Sequence, residues 1–189
     1  MAGLILGTLY VKKGGNFLTR LQKIFAGREA THSFVVLSQQ IYEEHYLLDA
    51  QAVMTIDPLA RIKGNTNISY KIYEIPMLQE TADYICKKLL TSYIGQGYGV
   101  LQLIWFVWRW FNEYFFSRDM RKKNNPFKQG IICSELFWYA IVEVGKKHNM
   151  KYWNYVHPYL ADTIHSVDVY KTLEEMCANG DCKIWEVQE

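Results

Sequence analysis

The stretch GIICSELFWYAIVEVGKK, residues 130–147, decides how the chain must be read. An apolar lead, Ile131 and Ile132, runs into a helical pattern whose first turn holds Cys133, Ser134 and Glu135 and which should end at Gly145. At a helix N-terminus, unpaired backbone N–H groups and the macrodipole favour a thiolate over a thiol, and the same N–H groups can stabilise an oxyanion. Position alone therefore makes Cys133 a candidate nucleophile. Free cysteine also packs well as a small buried hydrophobe, so the local sequence leaves both readings open.

A thiol nucleophile needs a base within reach, and the base needs a third group to fix its tautomer. Of the five histidines, His32 in ATHSFVVL (30–37) stands best, at the start of an apolar strand where a structural position would more naturally hold Val or Thr. Asp49 interrupts the apolar run YLLDAQAV (46–53). Burying it without a partner would cost several kcal/mol, and an imidazolium across the ladder would supply that partner. If the two strands are antiparallel neighbours and the Cys133 helix packs on their sheet, all three side chains converge. Glu44, His45 and Glu135 are alternatives for the third position, and Glu135 equally suits a first-turn helix charge.

Working outward, LILGTLYV (4–11) reads as a first strand, broken by Gly14 and Gly15. NFLTRLQKIFA (16–26) has the spacing of a short amphipathic helix. THSFVVL (31–37), YLLDAQAVMT (46–55) and SYKIYEI (69–75) read as successive strands of an antiparallel sheet. A helical pattern begins at Gln79 and ends near the glycines of IGQGYG (94–99). SRDMRKKNNPFKQ (117–129) reads as a loop, residues 157 onward as a turn and short helix, and CKIWEV (182–187) as a last strand.

VLQLIWFVWRWFNEYFF (100–116) is apolar enough to suggest a membrane. Arg109 interrupts it, however, and the unbroken part falls well short of the roughly 20 residues a spanning helix needs. A buried helix is one reading. The other is a surface facing lipid or substrate, because Trp and Tyr favour the boundary between apolar and wet regions.

The 189 residues, half of them apolar, suffice for one domain covering 1–189. A net charge of +2, with one short basic run at Arg118, Arg121, Lys122 and Lys123, gives no electrostatic footprint for nucleic acid. The N-terminal segment lacks the features of a signal peptide, so reduced thiols in the cytoplasm are the default expectation for Cys86, Cys133, Cys177 and Cys182. The last two flank the turn ANGD, where either a bridge or a metal half-site could form. A metal needs more ligands than this pair offers, and neither metal nor cofactor is expected.

The order of these segments resembles a known family. LILGTLYV, the Thr-His of THSFVVL, DAQAVMTIDPL, ICSELFWYA and the later HPYLADTIHSVD are together similar to the circularly permuted NlpC-type cysteine peptidases and amidases, the YiiX-like branch of the papain-like superfamily. The resemblance spans most of residues 4–167 and implies an α+β fold, a papain-like antiparallel sheet packed against helices with the nucleophile at a helix N-terminus. It makes Cys133 the nucleophile, His32 the base and Asp49 the orienting acid, at a position where relatives commonly carry Glu. It leaves Tyr98 as a substrate or oxyanion contact, although Gly99 stands where relatives often carry Asp, and Ser134 beside the nucleophile and Trp105 in the aromatic segment are the other candidate substrate-binding residues.

The expected activity is hydrolysis of an amide, peptide or isopeptide bond through a thioester acyl-enzyme. The related lecithin retinol acyltransferase-like proteins act on lipid esters, and WFVWRWF would suit an acyl chain, but their Asn-Cys-Glu-His motif differs from ICSELF. An inactive binding module using the aromatic residues of 105–116 is the non-enzymatic alternative.

Overall fold

The computed structural model describes all residues except 1–2, 16–18, 21–22, 25–29, 42, 51–52, 98 and 128–129. The helix expected over 16–26 therefore lies largely outside the described residues. Six strands form one antiparallel sheet: β1 (Gly3–Val11), β2 (His32–Ile41), β3 (Glu44–Ala50), β4 (Met54–Pro58), β5 (Ile68–Pro76) and β6 (Lys183–Gln188). Their spatial order is β4-β3-β2-β1-β5-β6. Between and after them come α1 (Ala60–Lys63), α2 (Gln79–Tyr93), α3 (Val100–Phe116), α4 (Cys133–Lys147), α5 (Trp153–Val156) and α6 (Ser166–Ala178). The fold is thus α+β, with an antiparallel sheet and helices.

β1 is central, paired with β2 on one edge and β5 on the other. That position explains why LILGTLYV is an unbroken apolar run instead of an alternating one. Leu4 and Leu6 join Val35, Leu48 and Ile75 in a core with Ile85 of α2 and Leu136 and Ile141 of α4. Ile5 and Leu9 join Phe34, Val36, Leu47 and Ile72 in a second core, closed by Leu59 and Ile62. Both faces of the strand are covered, so neither can be polar.

The expected strand over 46–55 is two strands, β3 and β4, paired antiparallel from Tyr46↔Pro58 to Ala50↔Met54. α4 begins at the expected Cys133 but continues past Gly145, which is buried close to Trp153. α6 is a helix of 13 residues where a short one was expected. The tight turn after it brings Cys177 and Cys182 to a Cα separation of 4.5 Å, and they form a disulfide. The expectation of four free thiols is corrected for this pair, and Cys86 and Cys133 remain free and buried. Among the described residues no helix is long and apolar enough to cross a membrane.

Gly7 shows how tightly the sheet is built. It pairs with Phe34 across β1 and β2, and a Cβ added there would lie 2.2 Å from the Phe34 ring. Gly7→Ala should therefore force the buried ring to shift and destabilise the fold by about 1–3 kcal/mol. Urea denaturation checks this, and a midpoint equal to that of the wild type would contradict the packing described.

Candidate active site

Antiparallel pairing of β2 with β3 sets the start of one beside the end of the other. His32 is the first residue of β2 and Asp49 the penultimate residue of β3, so the two side chains meet and His32 Nε2 bonds Asp49 Oδ1. α4 packs on β2 through the shared core, which brings its first residue, Cys133, to the same point. The Cys133 sulfur lies 3.5 Å from Ser166 Oγ and close enough to His32 to feel its charge. With Nε2 engaged by Asp49, Nδ1 is the ring nitrogen left to exchange a proton with the thiol.

Burial alone would push the Cys133 thiol up, but the His32 charge and hydrogen bond, aided by Ser166 and the Ser33 backbone, bring it down to about 6. Burial likewise pushes His32 down, and the charges of Cys133 and Asp49 outweigh it, so the imidazole is raised well above its ordinary value. The two directions describe one object, a thiolate–imidazolium pair at neutral pH. Cys86, equally buried, serves as an internal comparison. Burial first, and then the Asp83 charge, push its thiol up against the hydrogen bonds of Ser38, no cation acts on it, and its sulfur donates to the Val36 carbonyl at 3.8 Å. Cys133 is 3% exposed, whereas the His32 side chain is 18% exposed and marks where the site opens.

The N-cap of α4 is Ile132, whose side chain cannot cap. Glu135 supplies the missing half by reaching back to the Ile132 N–H at 3.0 Å. The Glu135 N–H bonds the Ile132 carbonyl, which leaves the N–H groups of Cys133 and Ser134 as the first ones without an intrahelical acceptor. Glu135 is itself buried. Desolvation first, then the charges of Asp162 and Cys133, push its carboxyl up to about 7, against the Ile132 N–H and Gln102. Gly130, Ile131 and Glu135, which bracket Cys133 in the chain, line a cavity of about 380 Å³ together with Gln102, Tyr139 and Asp162.

The wall behind the thiol escaped the sequence reading. Ser166 begins α6, whose N-cap is His165. His165 Nδ1 accepts the Val167 N–H, so its proton sits on Nε2, which has no hydrogen-bond partner among the described residues, and the ring stands edge-on to those of Trp110 and Phe106 with centroids 4.6 and 5.3 Å away. Burial and the nearby Arg109 charge hold it down at about 3, so it stays neutral. Arg109, read from sequence as an interruption, is buried. It bonds Glu113 at 2.8 Å, Asp168 at 3.0 Å and the Thr163 carbonyl, tying α3 to the segment that carries Ser166. The only available signal was its survival inside an apolar helix, which implies acids nearby.

The other expected site residues fare differently. Tyr98 lies outside the described residues, although its neighbours Gly97 and Gly99 bond the backbone of Ile131. Ser134 is buried and donates to the Ile164 carbonyl at 2.6 Å, an anchor for α4 and not a free hydroxyl. Trp105 is buried with Phe106, Met120 and Ile132, so it packs behind the site. Glu44 and His45 stand at the far end of β3 from Asp49 and cannot replace it. Among the described residues no group of three or more His, Cys, Asp or Glu is arranged to hold a metal. No family model matches the chain, and no curated protein gives a significant match.

The raised Glu135 carboxyl makes a signed prediction. Its native value near 7 exceeds the unfolded value of about 4.3, so its neutral form favours the fold at low pH and that contribution is lost as pH rises through 7. Glu135→Gln should therefore gain stability relative to wild type between pH 5 and pH 8, on the order of 2–3 kcal/mol. Paired denaturation curves at the two pH values measure the difference, and a pH-independent offset would refute the assignment.

Proposed function

We propose that the chain is a cysteine-dependent hydrolase that cleaves an amide bond, with Cys133 as nucleophile, His32 as general base and acid, and Asp49 orienting His32. The observation that carries this reading is the contrast between two buried cysteines. Burial raises Cys86, while His32 lowers Cys133 to about 6. A cysteine kept only for packing has no need of a half-buried imidazole bonded to a buried carboxylate beside it. The order His before Cys, together with an antiparallel sheet behind a nucleophile helix, supports the finer fold reading of a permuted papain-like hydrolase. On this reading the protein acts in the cytoplasm with Cys133 reduced, and the Cys177–Cys182 bridge is an exception to what that compartment favours.

In the proposed reaction the Cys133 thiolate attacks the carbonyl carbon and an S–C bond forms. The N–H groups of Cys133 and Ser134 hold the oxyanion. The His32 proton passes to the leaving nitrogen as the C–N bond breaks, giving a thioester. His32 then takes a proton from water, whose oxygen attacks the thioester, and the carboxylic acid leaves as the S–C bond breaks. The product acid yields its proton to water, and the thiolate–imidazolium pair is restored. Lipid ester hydrolysis or acyl transfer is a second reading, favoured by the exposed apolar residues of α3, such as Ile104 and Trp108.

Limiting iodoacetamide at neutral pH, read by mass spectrometry, should label Cys133 before Cys86, and His32→Ala should slow that labelling by about tenfold or more. Fluorogenic amide and acyl-ester libraries then identify the substrate bond, and any turnover should fall at least about a thousandfold in Cys133→Ala. Labelling indifferent to His32, or turnover that survives Cys133→Ala, would defeat the proposal.

A further inference from the structure

α3 is apolar on two sides. Its inner side is fixed, with Trp105 and Phe106 in the core and Arg109 and Asn112 buried among polar partners. Its outer side carries Leu101, Ile104, Trp108, Phe111 and Phe115, which are 41–62% exposed. Their spacing of three and four residues aligns them in one stripe along a helix of 17 residues, about 25 Å long. Tyr114 at 83% and Phe116 at 57% extend the stripe at its end.

The charges beside this stripe do not cancel. Glu113 is matched to Arg109, and Asp119 to Arg121. Arg118, Lys122 and Lys123 are exposed, Arg118 lies over the Phe116 ring, and no acid is paired with any of the three among the described residues. A second copy packed stripe to stripe would cover the apolar side chains but would bring its own Arg118, Lys122 and Lys123 to the same end of the helix. An anionic lipid surface supplies both partners at once, acyl chains for the stripe and headgroup phosphates for the cations.

We propose that α3 docks the protein on an anionic membrane, lying in the plane of the interface with the stripe over 101–115 in the acyl boundary and Arg118, Lys122 and Lys123 on lipid phosphates. Arg109 is bonded inward, so the helix stays with the protein when it docks. Its inner rings Phe106 and Trp110 pack on His165, next to Ser166, so docking brings the Cys133 wall close to the lipid surface. The inference does not depend on catalysis, and neither does its test.

The intact chain is sedimented with phosphatidylcholine vesicles with and without phosphatidylglycerol, at low and high salt. Binding should require the anionic lipid and weaken with salt. Lys122→Gln and Lys123→Gln should each weaken it about fivefold. Trp108→Glu should weaken it more than about tenfold, with unfolding temperature unchanged because the side chain is exposed. Three results would each overturn the proposal: no vesicle binding by folded protein, equal salt-insensitive binding to neutral vesicles, or a concentration-dependent dimer that Trp108→Glu dissolves and that excludes vesicles.

Discussion

A charge on a half-buried imidazole needs anions beside it, and His32 has two partners that can supply them. Asp49 bonds Nε2, and the Cys133 sulfur is the second. Removing any of these charges leaves the others exposed to the full cost of burial. Three pieces of chain must therefore meet: the start of β2, the end of β3 and the start of α4. Antiparallel neighbours on the sheet satisfy the first two, and the packing of Leu136 and Ile141 on the sheet core satisfies the third.

A second buried charge holds the wall behind the thiol. Arg109 reaches Glu113, Asp168 and the Thr163 carbonyl, and Asp168 also accepts the His165 N–H at 2.9 Å. One guanidinium thus fixes α3, the cap of α6 and the position of Ser166 against Cys133. Asn125, from the 117–129 loop, bonds the Asp162 side chain and backbone and closes the same wall from outside. The loop is anchored by buried Asn125 and Met120, even though most of its residues are exposed.

The sheet and the convergence of Cys133, His32 and Asp49 were legible because each rests on a local pattern. β-branched runs gave strands, the apolar lead gave the helix start, and a carboxylate in an apolar strand demanded a cation. What the sequence hid depends on long-range geometry. Arg109 reads as a break in an apolar run until Asp168, 59 residues later, is placed beside it. His165 carries no signal of its own in HPYLADTIHSVD until its ring is seen capping α6 against Trp110. Ser134 and Trp105, expected at the substrate, are drawn into anchoring because a helix start and an aromatic face are both needed to seal the core. α3 combines both readings offered for it, buried on one side and exposed on the other, because periodicity cannot show which of two apolar faces meets the protein.

The thiolate–imidazolium pair is tested most directly by the ultraviolet absorbance of the Cys133 thiolate across pH, taken as the difference between wild type and Cys133→Ala. The thiolate should appear with an apparent pKa near 6 in the wild type. In His32→Ala, where only Ser166 and the Ser33 backbone oppose burial, it should appear only near or above the ordinary value of about 8.5. A wild-type thiolate that forms only above that value, or a titration unmoved by the loss of His32, would contradict it.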